Sequence, residues 1–150
     1  MTNIKNVLDA GTFAFVLNNE LKRALRSQNF VTLVVIEPGG ADPAAAVPEI
    51  VGLAGRELRE TDMLAVDRTA VWMVLLDADV QNSTRVIERV MTGLEHYQFT
   101  TPVEIEVGAA CCPTHGADLD TLKRAAGAAR TGLARRNSRG TAHAQIKVRI

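Results

Sequence analysis

The apolar positions follow two rhythms that trade places along the chain. Phe13, Leu17, Leu21, Ala24 and Leu25 recur at helical spacing, with Glu20, Lys22, Arg23 and Arg26 on the other side. This pattern predicts a helix over residues 13–27 with Thr12 as its N-cap. "FVTLVVI" (30–36) is an unbroken β-branched run, as expected of a central strand covered on both faces, ending at Glu37 before "PGG". Asp42-Pro43 reads as an N-cap with proline in the first turn. Val47, Ile50, Val51, Ala54 and Leu58 follow as an apolar face, which Pro48 either kinks or delays. "MLAV" and "VWMVLL" flank the short stretch "DRTAVW" and predict an antiparallel hairpin. Ile87, Val90, Met91, Leu94 and Tyr97 form the stripe of another long helix. Pro102 then opens a strand with Val103, Ile105 and Val107 on one face and Glu104 and Glu106 on the other. Asp118 is placed to cap a helix carrying Leu119, Leu122, Ala126, Ala129 and Leu133, ended by "RNSRG". "AQIKVRI" reads as an edge strand protected by Lys147 and Arg149. The predicted order is α-β-α-β-β-α-β-α-β. It implies an α/β (α+β) sandwich, a mixed five-stranded sheet flanked by helices and related to the split βαβ plan.

Composition changes this picture little. The 150 residues suit one domain, residues 1–150, and the initial Met1 is what a complete chain would show. Seventeen basic and seventeen acidic side chains cancel, so neither nucleic acid nor an anionic membrane is indicated as a partner. One local bias stands out: Arg130, Arg135, Arg136, Arg139, Lys147 and Arg149 occur with no acid between Arg130 and Ile150. That run suits a helix end and a solvated edge strand, or an acidic partner. Adjacent Cys111 and Cys112 would point to opposite faces of a strand, so two buried, reduced thiols are expected. Reduced thiols, no signal-peptide pattern at the N-terminus and no apolar run of bilayer-spanning length together predict a cytoplasmic chain.

Three segments in this order resemble the GGDEF domain, the diguanylate cyclase family. "LVVIE" resembles its strand ending in a metal-binding carboxylate. "LRETDMLAVDRTAVWMVLLDADVQNSTRVIERVMTGL" resembles its R-x-x-D, hairpin and following helix. "VEIEVGAACCPTHGADLDTLKRAAGAA" resembles its late strand, loop and last helix. The resemblance spans residues 9–140 and implies the family's nucleotidyl-cyclase-like sandwich and a bacterial role in signal transduction.

It also shows what is missing. The signature begins in that family five residues after the Asp of R-x-x-D. Here Arg59-Glu60-Thr61-Asp62 is followed by Met63 to Asp67, so the signature falls on Arg68, Thr69, Ala70, Val71 and Trp72. Joining two GTP molecules needs Mg²⁺ on hard oxygen ligands. Glu37 can stand for one such ligand, as a remnant, but Ala70 and Val71 offer no oxygen. Arg68 and Thr69 replace glycines that let backbone approach the nucleotide. The family's F-K…N-D…G-H…G-D region has no room between Glu37 and Arg59, being short by roughly ten residues. No catalytic residue, metal or cofactor is therefore expected.

Other groups have ordinary readings beside functional ones. The resemblance makes Arg59 and Asp62 a candidate inhibitory-type site for cyclic di-GMP, Arg holding phosphate or a guanine edge and Asp accepting from guanine. The plain alternative is a helix end and a turn. Glu104 and Glu106 read as a solvated strand face, His115 as a loop residue and Trp72 as core. "PGG" lacks the phosphate-loop pattern. The reading that follows is a catalytically inactive GGDEF-like domain acting as a signalling or interaction module, through a protein partner or as a homodimer. The alternative is a cyclic di-GMP receptor using Arg59 and Asp62; an active nucleotidyl cyclase stands last.

Overall fold

A computed structural model of the chain describes residues 7–129, 131–132 and 146–149, the last two stretches through their backbone. The chain order is β1 (Val7–Leu8), α1 (Ala10–Ser27), β2 (Val31–Gly39), α2 (Pro43–Glu57), β3 (Met63–Asp67), β4 (Ala70–Leu76), α3 (Val80–His96), β5 (Glu104–Cys112), α4 (Leu119–Ala129), β6 (Thr131–Gly132) and β7 (Ile146–Arg149). The sheet runs β1-β3-β4-β2-β5-β6-β7, with β7 also paired to β5. β1–β3 and β5–β7 are parallel and the pairs from β3 through β5 are antiparallel. The mixed five-stranded sheet expected from the pattern is present as β2, β3, β4, β5 and β7, with two-residue β1 and β6 added.

Strict alternation divides the sheet between two helical layers. Val34, Ile36, Val71, Met73 and Ile105 point into a core closed by α2 and α3. Val31, Leu33, Val35, Trp72 and Val74 point the other way, against Phe13, Leu17 and Leu21 of α1 and Leu122 and Ala126 of α4. β2 is buried on both faces from Val31 to Ile36, as its unbroken apolar run implies. Cys111 and Cys112 are buried and free. Burial pushes both thiols above their ordinary range.

Several boundaries differ from expectation. α1 starts at Ala10, not Phe13, because Asp9 is the cap: its Oδ1 accepts from the Thr12 N–H at 2.8 Å. That backbone bond holds the Asp9 carboxyl below its ordinary range. Asp118 does the same for α4 through the Thr121 N–H at 2.9 Å. β2 does not stop at "PGG"; Pro38 and Gly39 stay in register with Ile105 and Glu104. Proline is tolerated there because β4 begins only at Ala70, leaving Pro38 a strand neighbour on one side alone. α2 runs through Pro48 from a first turn containing Pro43, and Asp42 makes no side-chain cap bond. α4 ends at Ala129, because Thr131 and Gly132 form a strand against β7 and β5. Leu133 and "RNSRG" lie outside the described residues, as do the side chains of the basic run from Arg130. Among the described residues no helix is long and apolar enough to cross a membrane.

Candidate functional site

The β3–β4 hairpin is tighter than its sequence suggests. Asp67 pairs with Ala70, so Arg68 and Thr69 alone make the turn. Arg68 takes φ 59° while Thr69 stays at negative φ, the pattern of a II′ turn, in which glycine is the usual first residue. An arginine with its Cβ in that region stores roughly 1 kcal/mol of strain.

The tip meets the end of β2. Val35 pairs with Trp72 and Ile36 with Val71, so the next step brings Glu37 level with Ala70. Alternation puts both on the α1/α4 side. Val71 points the other way and is fully buried in the α2/α3 core. On the far side of β2, Glu37 pairs directly with Glu106, and Gly39 with Glu104. The sheet thus sets Glu37 beside the two glutamates that the pattern of β5 had placed on a separate face. Glu37 and Glu106 both have polar partners. Among the described residues no three His, Cys, Asp or Glu side chains converge to hold a metal ion. The position level with Glu37 is the Ala70 methyl group, which supplies no hard oxygen for Mg²⁺.

At the opposite end of the hairpin, Arg59 and Asp62 form a closed knot. Asp62 is buried, its side chain 1% exposed, whereas the Arg59 side chain is 59% exposed. Asp62 Oδ2 accepts from the Arg59 backbone N–H at 3.0 Å and from Arg59 Nε at 3.5 Å. Oδ1 accepts from the Leu76 N–H at 3.1 Å and from Arg59 Nη2 at 3.4 Å. Arg59 Nη2 also donates to the Leu76 carbonyl. A carboxylate offers about four lone-pair positions, and these four donors occupy them. Sequence reasoning missed Leu76, which takes part only through its backbone and so leaves no mark in side-chain chemistry.

The remaining candidates are tied into the fold. His115 Nδ1 accepts from the Cys111 N–H at 2.8 Å, and the His115 N–H donates to the Cys111 carbonyl at 2.7 Å, closing the loop after β5. Trp72 is core, stacked on Phe13 with ring centroids 6.1 Å apart and with Lys123 Nζ 5.2 Å above its ring. Thr32 and Ser83, unremarkable in sequence, form a buried pair: Ser83 Oγ donates to Thr32 Oγ1 at 2.7 Å, and Thr32 to the Ala78 carbonyl at 3.0 Å.

No family model and no curated protein sequence matches the chain. Solved structures do. A DGC protein from Thermotoga maritima aligns with TM-score 0.75 at 14% identity, covering 85% of this chain and 98% of that one. The coiled coil and GGDEF domain of DgcB from Caulobacter crescentus, in complex with c-di-GMP, aligns with TM-score 0.70 at 12% identity over 86% of this chain and 77% of that one. Diguanylate cyclase SiaD from Pseudomonas aeruginosa, in complex with its activator SiaC, aligns with TM-score 0.66 at 15% identity over 97% of this chain and 62% of that one.

The fold is that of a GGDEF domain. On that frame Arg68 to Trp72 occupy the β3–β4 tip and the start of β4, where the resemblance puts the GGDEF signature. Glu37 stands at the end of the neighbouring strand, as the resemblance also implies. The GGDEF fold is kept through both helical layers, while the side chains at the tip of its hairpin are arginine, threonine and apolar residues.

Proposed function

We propose that this chain is a non-catalytic GGDEF-fold domain that works through contact with another protein chain. One observation carries the reading: the position level with Glu37 is Ala70, and the next acidic position, Val71, is sealed in the core. The carboxylates nearest Glu37 along the sheet are on β5, not at the position that the resemblance gives to the second Mg²⁺ ligand. Without that ligand the ions that would activate a 3′-hydroxyl and neutralise triphosphate charge lack their cradle. The ordered hairpin, satisfied knot and two-sided core support a domain kept as a scaffold. A fold without its reactive groups does not carry the chemistry. SiaD, of the same fold, is found in complex with an activator protein, and this supports protein contact as a use of the scaffold.

The cyclic di-GMP receptor reading draws support from DgcB, found with that nucleotide. Against it stands Asp62, whose acceptor positions are filled from within the chain. Binding guanine there would require displacing at least one of these donors, and the two from the exposed Arg59 side chain are the longest.

Calorimetric titration with cyclic di-GMP is the test between these two readings. The interaction reading predicts no saturable heat. Binding that disappears in Arg59→Ala would replace it with the receptor reading.

A further inference from the structure

Helix α1 buries Phe13, Leu17, Leu21 and Ala24 against the sheet. Two large apolar side chains of α1 stand in water: Phe15, turned away from the sheet and 70% exposed, and Leu25, which the pattern placed on the buried face but which lies at its flank beside Leu21, 44% exposed. Single exposed apolar residues need no explanation, but these two belong to a pattern. Phe15, Asn18, Lys22 and Leu25 follow one another at intervals of three, four and three residues. That spacing puts the four on one stripe of the helix, apolar at its two ends and polar at Asn18 and Lys22 between them. Phe15 and Leu25 lie roughly 15 Å apart along the axis, at 1.5 Å per residue. Alongside Leu25 lies a shallow groove lined by Asn19, Glu20, Lys22, Arg23, Leu25 and Arg26.

Charge selects the occupant. Glu20, the one acid in that groove, is bound to Arg23 Nη2 at 2.8 Å and Nε at 3.0 Å. Lys22 and Arg26 remain exposed, with no acid beside them in the groove. A second copy packed parallel on this face would set these cations against their own equivalents. A membrane surface would meet Asn18 and Asn19 between the two apolar anchors, which is not the broad apolar face of an interfacial helix.

We propose that the outward face of α1 docks an acidic amphipathic helix of a partner protein. Two apolar side chains of that helix seat against Phe15 and Leu25, and its carboxylates meet Lys22 and Arg26. This rests on the interaction reading above and names its surface and the chemistry of its partner.

The test uses the full chain, isotopically labelled, and a synthetic helical peptide. The peptide carries leucines at the same three-four-three spacing, flanked by glutamates. A second peptide has lysines in place of the glutamates. The acidic peptide is expected to shift amide resonances between Phe15 and Arg26 and to leave the α2/α3 layer unmoved. Raising salt from about 0.05 to about 0.5 M should weaken it several-fold, because the pairs are exposed. The double variant K22E/R26E should lose at least about tenfold in affinity for the acidic peptide and gain for the basic one. Phe15→Ser, at an exposed position where folding is not at risk, should lose binding of both. No shift in α1 at about 1 mM acidic peptide would overturn the proposal. So would equal binding of the basic peptide, binding to phosphatidylserine vesicles without binding to the peptide, or self-association that Phe15→Ser abolishes. Turnover of GTP would remove the non-catalytic reading and leave the peptide result standing, so the two failures are distinguishable.

Discussion

The two ends of the β3–β4 hairpin make an instructive contrast. At the end nearer α2, Asp62 is buried and accepts four hydrogen bonds, two of them from backbone N–H groups. At the other, Arg68 and Thr69 close a two-residue turn beside one glutamate and one alanine. Both ends bear on the resemblance to a nucleotide-using family: Arg59 and Asp62 match it, and Arg68 to Val71 do not. The difference follows from what each residue does for the backbone. Asp62 ties the exit of α2 to the last residue of β4, so its removal would orphan buried donors. The tip needs only a chain reversal, and two strands in register supply most of that.

The largest effect expected from breaking this contrast belongs to Asp62→Ala. It leaves the Arg59 and Leu76 N–H groups without their acceptor and should cost about 3 kcal/mol in urea unfolding. A loss under about 1 kcal/mol would mean that the knot is ornamental and that Asp62 is free for other work. Arg59→Ala should cost less, about 1 kcal/mol, because the guanidinium is more than half exposed and the backbone bonds to Asp62 survive it. At the tip, Ala70→Glu adds a carboxylate level with Glu37. Like charges there should lower stability by about 0.5–1 kcal/mol. Mg²⁺ should return part of that loss in the variant and shift nothing in the parent, as read by thermal unfolding. The smallest effect is Arg68→Gly. Relief of the left-handed φ is partly offset by a more flexible unfolded chain, so a gain of about 0.5 kcal/mol is expected. A clear loss would show that the Arg68 side chain makes contacts that matter.

Much of this fold was legible in the sequence, and the exceptions have physical causes. The double-sided β2, the hairpin and the α3 stripe follow from periodicity, because burial there is decided locally by which face a residue shares. The start of α1 was obscured by Thr12, which read as the cap, while Asp9 held the capping bond. The extension of β2 through Pro38 and the early end of α4 are tertiary effects: each depends on a strand far away in sequence, β5 for Pro38 and Gly39, β5 and β7 for Thr131 and Gly132. The two-residue β1 is too short to have a period. At the candidate site, the register after Arg59 to Asp62 was enough to locate the tip and to see Ala70 and Val71 at the positions the resemblance makes acidic. Two features were not visible. One is the role of Leu76, which is purely backbone. The other is the pairing of Glu37 with Glu106, which needs the β2–β5 register.

The central claim is that the tip no longer supports metal-dependent nucleotide chemistry. Calorimetric titration of the full chain with GTP in the presence of Mg²⁺, followed by chromatography of the nucleotide products, tests it most directly. The account predicts no saturable heat and GTP recovered unchanged. Mg²⁺-dependent binding, or any conversion of GTP that is lost in Glu37→Ala, would contradict it.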